Sequence, residues 1–131
     1  RRYVEDLEAE VNSDEIIKFT VYIEGGAAES IYRQLPEMPG NLSAVLAGPE
    51  WIDIVNKDAN KGAAVKKIAD LKGIKQDEIL AFGDYLNDLT MLEAAGTSYA
   101  MVNGHPDLKK IADHIAPSNN DEGVMQILQV Y

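Results

Sequence analysis

The hexad Gly83-Asp84-Tyr85-Leu86-Asn87-Asp88 constrains this chain more than any other stretch of it. Apolar Ile79-Leu80-Ala81-Phe82 precedes it, and Leu89, Leu92 and Ala95 follow at helical spacing, so it reads as the turn between a buried strand and a helix. In an open α/β sheet, loops at the carboxyl ends of parallel strands open onto the crevice where ligands bind. Two carboxylates and an amide fall within this one turn. Few oxygen ligands beside an open crevice suit Mg²⁺, which takes one or two carboxylates and completes its shell with waters and substrate phosphate. The expectation is a magnesium-dependent phosphoryl site. Asp and Asn are also the residues that cap helices and tolerate tight turns, so capping by Asn87 or Asp88 is the competing reading.

At 131 residues the chain is long enough for a core without metal or disulfide staples. It has no cysteine, which excludes a disulfide framework, a thiolate metal site and a cysteine nucleophile. No apolar run approaches the ~20 residues that span a bilayer, and no signal-peptide pattern opens these residues. No membrane partner is expected, and the cytoplasm is the expected compartment. A net charge of −10 argues against nonspecific nucleic-acid binding, whose affinity comes from Lys and Arg neutralising phosphates. A small phosphorylated metabolite is compatible with that charge, because a bound cation dominates its own site. The chain begins Arg1-Arg2-Tyr3 without an initiator Met, and is expected to be a piece of something longer.

Tyr3, Val4, Leu7 and Val11 fall at helical spacing among Glu5, Asp6, Glu8 and Glu10, predicting a short helix with an acidic solvated face. Asn12 to Glu15 is a polar break. Ile17, Phe19, Val21 and Ile23 then alternate with Lys18, Thr20 and Tyr22, the period of a half-buried strand in an antiparallel or mixed sheet. Ala28, Ile31, Tyr32 and Leu35 predict a helix packed on that strand and stopped by Pro36. Leu42 to Ala47 and Trp51 to Val55, joined by Gly48-Pro49-Glu50, read as a hairpin, with Trp51 as a core or packing residue.

From Lys57 the pattern changes, and a domain boundary is expected near residues 55–60. Asn60 can cap a helix that carries Val65, Ile68, Ala69 and Leu71 on one face and is closed by Gly73. The strand Ile79 to Phe82, the hexad, a helix over 88–95, a strand over Tyr99 to Val102 and a helix starting near Pro106 follow. A short strand and a last helix complete an order typical of a parallel sheet with crossover helices. Asn119 stands three residues before Glu122, the spacing of a reciprocal cap for that last helix, whose buried stripe is Val124, Ile127 and Leu128. His105 and His114 are expected to be structural or exposed.

Lys61-Gly62 opening a helix, the run from Ile79 through the hexad to Leu89-Thr90-Met91-Leu92, then Ala100-Met101-Val102-Asn103 and Ala112-Asp113, together resemble the carboxyl-terminal half of haloacid dehalogenase superfamily phosphatases. The Cof-type branch, with its large α/β cap, fits best. The resemblance covers about residues 50–130 closely and the first fifty by layout, and the ordered combination is specific where each part alone is not. It implies an α/β fold: the carboxyl-terminal half of a Rossmannoid parallel sheet with flanking helices (57–131), preceded by part of an α+β cap (1–56). It also implies that Lys61 steadies the phosphoryl group, that Asp84 is a direct Mg²⁺ ligand, and that Asn87 and Asp88 complete the metal cluster while Asp88 orients the lysine. Lys61 and Asp88 are thus the expected catalytic residues, and Lys61, Asn87 and Asn103 the expected phosphate-binding ones. For Asn103, a turn-forming role before Gly104 is the alternative.

These phosphatases carry their nucleophilic aspartate in an Asp-x-Asp-Gly-Thr stretch near the amino terminus, and this sequence contains none. A counterpart of their phosphoryl-binding Ser or Thr is not identifiable either. The expectation is therefore a carboxyl-terminal fragment of a phosphatase of small phosphate monoesters, sugar phosphates foremost, inactive by itself. Its exposed sheet edge would favour a homodimer. A noncatalytic Mg²⁺-binding or protein-interaction module is the alternative from another class.

Overall fold

The computed structural model describes residues 3–13 and 15–131, so Arg1, Arg2 and Asp14, the last of these within the expected polar break, lie outside the described residues. Among the described residues twelve helices and strands are joined by loops and short 3₁₀ turns, in the order α1 (Leu7–Ser13), β1 (Lys18–Tyr22), α2 (Ala28–Tyr32), β2 (Leu42–Gly48), β3 (Trp51–Asn56), α3 (Lys61–Lys72), β4 (Leu80–Gly83), α4 (Leu89–Glu93), β5 (Thr97–Met101), α5 (Pro106–Ile111), β6 (His114–Ala116) and α6 (Gly123–Leu128). The strands form two three-stranded sheets, β1-β3-β2 and β4-β5-β6. Among the described residues no helix is long and apolar enough to cross a membrane.

The first sheet is antiparallel, and β2 and β3 form the expected hairpin. Register sorts its side chains. Phe19 pairs with Ile54 and Val21 with Ile52, while Ala44 and Leu46 pair with the same two residues from the other side. These six share one face, because directly opposed residues point the same way. On the other face lie Thr20, Asp53 and Val45 in one row and Tyr22 beside Trp51 in the next. Trp51 is therefore not a core residue: it is 42% exposed, with its ring 4.8 Å from that of Tyr22. Ala28, Leu46 and Ile52 make the buried cluster of this sheet. α2 lies over the β2–β3 hairpin rather than over β1 as expected. That leaves edge strand β1 exposed along its whole length instead of half-buried. α1, capped where the Asp6 carboxylate accepts from Ala9 N at 3.0 Å, buries none of its residues.

The second sheet is parallel, with β5 central and β4 and β6 at its edges. Asn60 caps α3 by accepting from Ala63 N at 2.8 Å, and Gly73 closes it. Ala81, Leu92, Ala95, Ala100 and Leu108 form the second buried cluster. The amino ends of β5 and β6 are tied by one side-chain clamp: Ser98 N and Oγ both donate to Asp113 Oδ2, at 2.9 and 2.7 Å, and Asp113 N donates back to Ser98 Oγ. Those bonds hold the Asp113 carboxyl below its usual pKa. The outer stripe of α3 stays open, with Ile68 57% and Leu71 76% exposed.

The last helix departs from expectation. Ser118, not Asn119, caps the turn before it, accepting from Asn120 N at 3.1 Å, and Glu122 adopts a left-handed φ of 55° with no capping bond from its side chain. Gly123 N bonds to Ser118 O at 3.0 Å, and closing that short loop is what turns Glu122 over.

α3 meets α4 through Gly62, whose N donates to Thr90 Oγ1 at 3.1 Å. A Cβ on Gly62 would stand 2.6 Å from the Thr90 carbonyl carbon. Alanine raises helix propensity by about 1 kcal/mol, but overpacking costs about 1–3 kcal/mol, so Gly62→Ala is expected to lower the urea midpoint. A midpoint equal to or above the parent's would mean that the two helices do not approach this closely.

Candidate functional site

β4 delivers the hexad to the carboxyl edge of the parallel sheet, and a 3₁₀ turn over Leu86–Asp88 folds it back so that Asp88 lies beneath Gly83. Gly83 leaves no room for a side chain there, since a Cβ on it would fall 2.7 Å from Cβ of Asp88. Asp88 is 4% exposed. A buried carboxylate is costly unless it is paired and hydrogen-bonded, and here both oxygens are used. Oδ1 pairs with Lys61 Nζ, and Oδ2 accepts from Asp84 N at 3.0 Å and Tyr85 N at 3.4 Å. Lys61, the first residue of α3, is half exposed, so its ammonium is anchored on one side and open on the other.

Asp84 is the carboxylate left free. Its backbone is fixed from both sides, by the N–H bond to Asp88 and by its carbonyl, which accepts from His105 N at 2.7 Å. Its side chain stands at the solvent edge, yet partial withdrawal from water and the neighbouring Asp88 charge push its pKa up, with Lys61 opposing. Two carboxylates competing in this way are relieved by a cation. The donor set fits Mg²⁺ in kind, with one carboxylate open beside a cleft and a second already committed to holding its neighbour and a lysine. Among the described residues no group of three or more His, Cys, Asp or Glu forms that could hold a metal alone.

Two of the cavities that Lys61 lines bear on the site. One of about 260 Å³ is lined by Lys61, Gly83, Asp84, Asp88 and Asn119, with Phe82 and three further apolar side chains behind. The other, about 200 Å³, lies against the polar face of the first sheet, with Lys18, Ser43, Asp53, Lys61 and Asn87 around it. Asn87 thus faces the sheet side of the lysine. Asn103 lines neither cavity and instead donates from Nδ2 to Asn119 Oδ1 at 2.7 Å. Asp53 accepts from Thr20 Oγ1 at 2.7 Å and Lys18 Nζ at 3.0 Å, which fixes a charged clamp at the rim of the second cavity.

The family model described as haloacid dehalogenase-like hydrolase matches residues 1–128. The chain belongs to that family. Among its relatives, 5-amino-6-(5-phospho-D-ribitylamino)uracil phosphatase YitU of Bacillus subtilis is 41% identical over 80 residues, which is 61% of this chain and 30% of that protein. A haloacid dehalogenase-like hydrolase from B. subtilis superposes with a TM-score of 0.83 at 29% identity, over 98% of this chain and 46% of that one. The subclass IIB sugar phosphatase BT4131 superposes with a TM-score of 0.73 at 25% identity, over 92% and 45%. This chain spans less than half the length of the curated relatives it matches.

Lys61, Asp84 and Asp88 are brought together as sequence reasoning expected, Asn87 adjoins them through the lysine, and Asn103 stands one residue removed. Asn119 and Asp53 were missed. Thr20 and Lys18 share one period-two face of β1, but only the register shows that Asp53 lies opposite. His105, the buried one of the two histidines, caps α5 by accepting from Asp107 N at Nδ1, and presents its ring to the edge of Tyr85. His114 is exposed on β6.

Unfolding returns Asp84 to its ordinary pKa of 3.8, so ionising it costs more in the folded chain than in the unfolded one. That cost is absent well below pH 3.8 and complete once the pH exceeds the raised folded value. Without divalent ions, Asp84→Asn is therefore expected to melt above the parent at about pH 7, with an advantage that shrinks as the pH falls towards about 4. Melting curves across that range decide the point, and a constant difference at all pH values would show that the Asp84 charge is not the source.

Proposed function

We propose that this chain is the carboxyl-terminal part of a magnesium-dependent phosphatase that hydrolyses small phosphate monoesters, sugar phosphates foremost. Residues 1–56 would form part of its cap and 57–131 part of its core. The observation that carries the reading is the Lys61–Asp88 pair beside the free carboxylate of Asp84, at the carboxyl edge of a parallel sheet. Membership of the family supports it, as do relatives and neighbours named as phosphatases.

The geometry supports a division of labour. Mg²⁺ held by Asp84, when bound, would neutralise phosphoryl charge. Lys61 would offer its open side to a phosphoryl oxygen while Asp88 fixes its position. Catalysis of phosphoryl transfer is mostly positioning and electrostatics of this kind. The attacking carboxylate would come from outside these 131 residues, displacing the alcohol to give an aspartyl-phosphate that water then hydrolyses. Asn87, across the lysine, would meet the substrate on the side where the cavity under the first sheet can receive its organic part. The Lys18–Asp53–Thr20 clamp and Ser43 give that cavity hydroxyl-matching chemistry, which is the ground for placing sugars first.

The test is a phosphate-release screen on the longer protein carrying this chain, with the 131 residues alone as control. Lys61→Ala or Asp84→Ala is expected to lower the rate by about 10²- to 10³-fold. Robust turnover by the short chain would contradict the need for an external nucleophile.

Among the described residues the outer edge of β4 is unpaired, beside a groove of about 310 Å³ lined by Val65, Ile68, Ala69, Ile74, Ile79 and Leu80 with Glu78 as its one charged residue. Open edges flanked by apolar surface recruit strands. A second copy is the proposed occupant when the rest of the protein is missing, so light scattering should show mass rising with concentration. A strictly monomeric chain with a cooperative melt would favour the noncatalytic module.

A further inference from the structure

Asn119 sits at the foot of α6, far in sequence from the hexad, yet it lines the same cavity as Lys61, Asp84 and Asp88. Its side-chain oxygen is occupied. Asn103 Nδ2 donates to it at 2.7 Å. Ser118 Oγ, already accepting from Asn120 N, turns its own hydrogen to the same oxygen at 3.4 Å. An amide whose oxygen is held from one side presents its nitrogen on the other, with two N–H donors. Among the described residues nothing accepts from that nitrogen.

The side chain is also not needed to build its own turn. Asp121 N and Gly123 N bond to Ser118 O, and Glu122 N bonds to the Asn119 carbonyl, all through backbone oxygens. What remains for the amide is the cavity. The donor it offers lies beside one open ammonium and one open carboxylate, an arrangement suited to a tetrahedral dianion that a cation has brought to Asp84.

We propose that Asn119 is a further phosphoryl-binding residue, donating from Nδ2 to an oxygen of the substrate's phosphoryl group, and that Asn103 is a positioning residue that sets the orientation of that amide. This rests on the phosphatase reading above. It assigns Asn103 a role through its neighbour rather than on the substrate itself.

The test titrates inorganic phosphate, with Mg²⁺ present, into the longer protein carrying this chain and reads affinity by calorimetry beside the melting temperature. A hydrogen bond to a charged group corresponds to about ten- to a hundredfold in affinity, and Asn119→Ala is expected to lose that much while melting like the parent. Asn119→Asp, nearly the same in shape, should lose more, because it sets a carboxylate against the phosphate. Asn103→Ala should lose less than Asn119→Ala, since it only frees the amide to turn. If Lys61→Ala weakens phosphate binding while Asn119→Ala matches the parent, this assignment is wrong and the phosphoryl site stands. A lowered melting temperature with unchanged affinity would likewise overturn it, by making Asn119 a structural brace. If Lys61→Ala also binds phosphate like the parent, the phosphoryl-site reading itself fails.

Discussion

The buried carboxylate of Asp88 is the interaction on which the rest of the site depends. A charge taken this far out of water is tolerated only where every lone pair finds a donor, and the donors here are one lysine and two backbone N–H groups. Each ties down a different piece. The N–H bonds fold the hexad back on itself and so set the direction in which Asp84 leaves the strand. The ammonium draws the first turn of α3 to the end of β4, across 27 residues of sequence. Gly83 and Gly62 then become necessities of packing, because each lies where a second backbone or side chain comes too near for a Cβ.

The same turn is shared between the two sheets. While Asp84 and Asp88 face the cleft, Tyr85 and Leu86 pack against the buried cluster of the first sheet, Ala28, Leu46 and Ile52. Tyr85 is also braced by the ring of His105, whose backbone N–H holds the Asp84 carbonyl. The seating of the first sheet and the placement of the Asp84 carboxylate are therefore one packing problem. Burial beside these neighbours also raises the pKa of the Tyr85 hydroxyl, with the Glu29 charge adding to it.

What was legible in the sequence was what local chemistry decides. The hairpin, the Asn60 cap, the closure of α3 at Gly73 and the start of α5 at Pro106 each follow from a residue acting within a few positions of itself. The hexad was legible for the same reason, as a turn whose composition is unusual. The misreadings arise where a distant partner outbids a near one. Asn119 has Glu122 at capping distance in sequence, but its side-chain oxygen is taken by Asn103, 16 residues away, and Ser118 takes over the cap. Trp51, expected as a core or packing residue, packs on Tyr22 at the surface and not in the core, because strand period places it on the face opposite Ile52 with Asp53 two residues on. The exposure of β1 was not legible, since alternation tells which face is apolar and not whether anything covers it.

That last distinction bears on the whole of the second sheet. β4 is apolar enough for a central strand, with Ala81 buried and Leu80 and Phe82 half-buried, but it occupies an edge, and the stripe on α3 that should face a neighbour faces solvent. A sequence adapted to such an exposed edge would carry charges, a proline or a bulge there; this strand carries none of them. The pattern written into Ile79 to Phe82 and into Val65, Ile68 and Leu71 is that of surfaces made to be covered. The relatives are more than twice as long as the segment they share with this chain. The same reasoning reaches the site. Asp84, an exposed carboxylate, and Lys61, a half-open lysine, stand at the end of that uncovered strand, and on the reading proposed above they are the electrostatic half of a phosphoryl site.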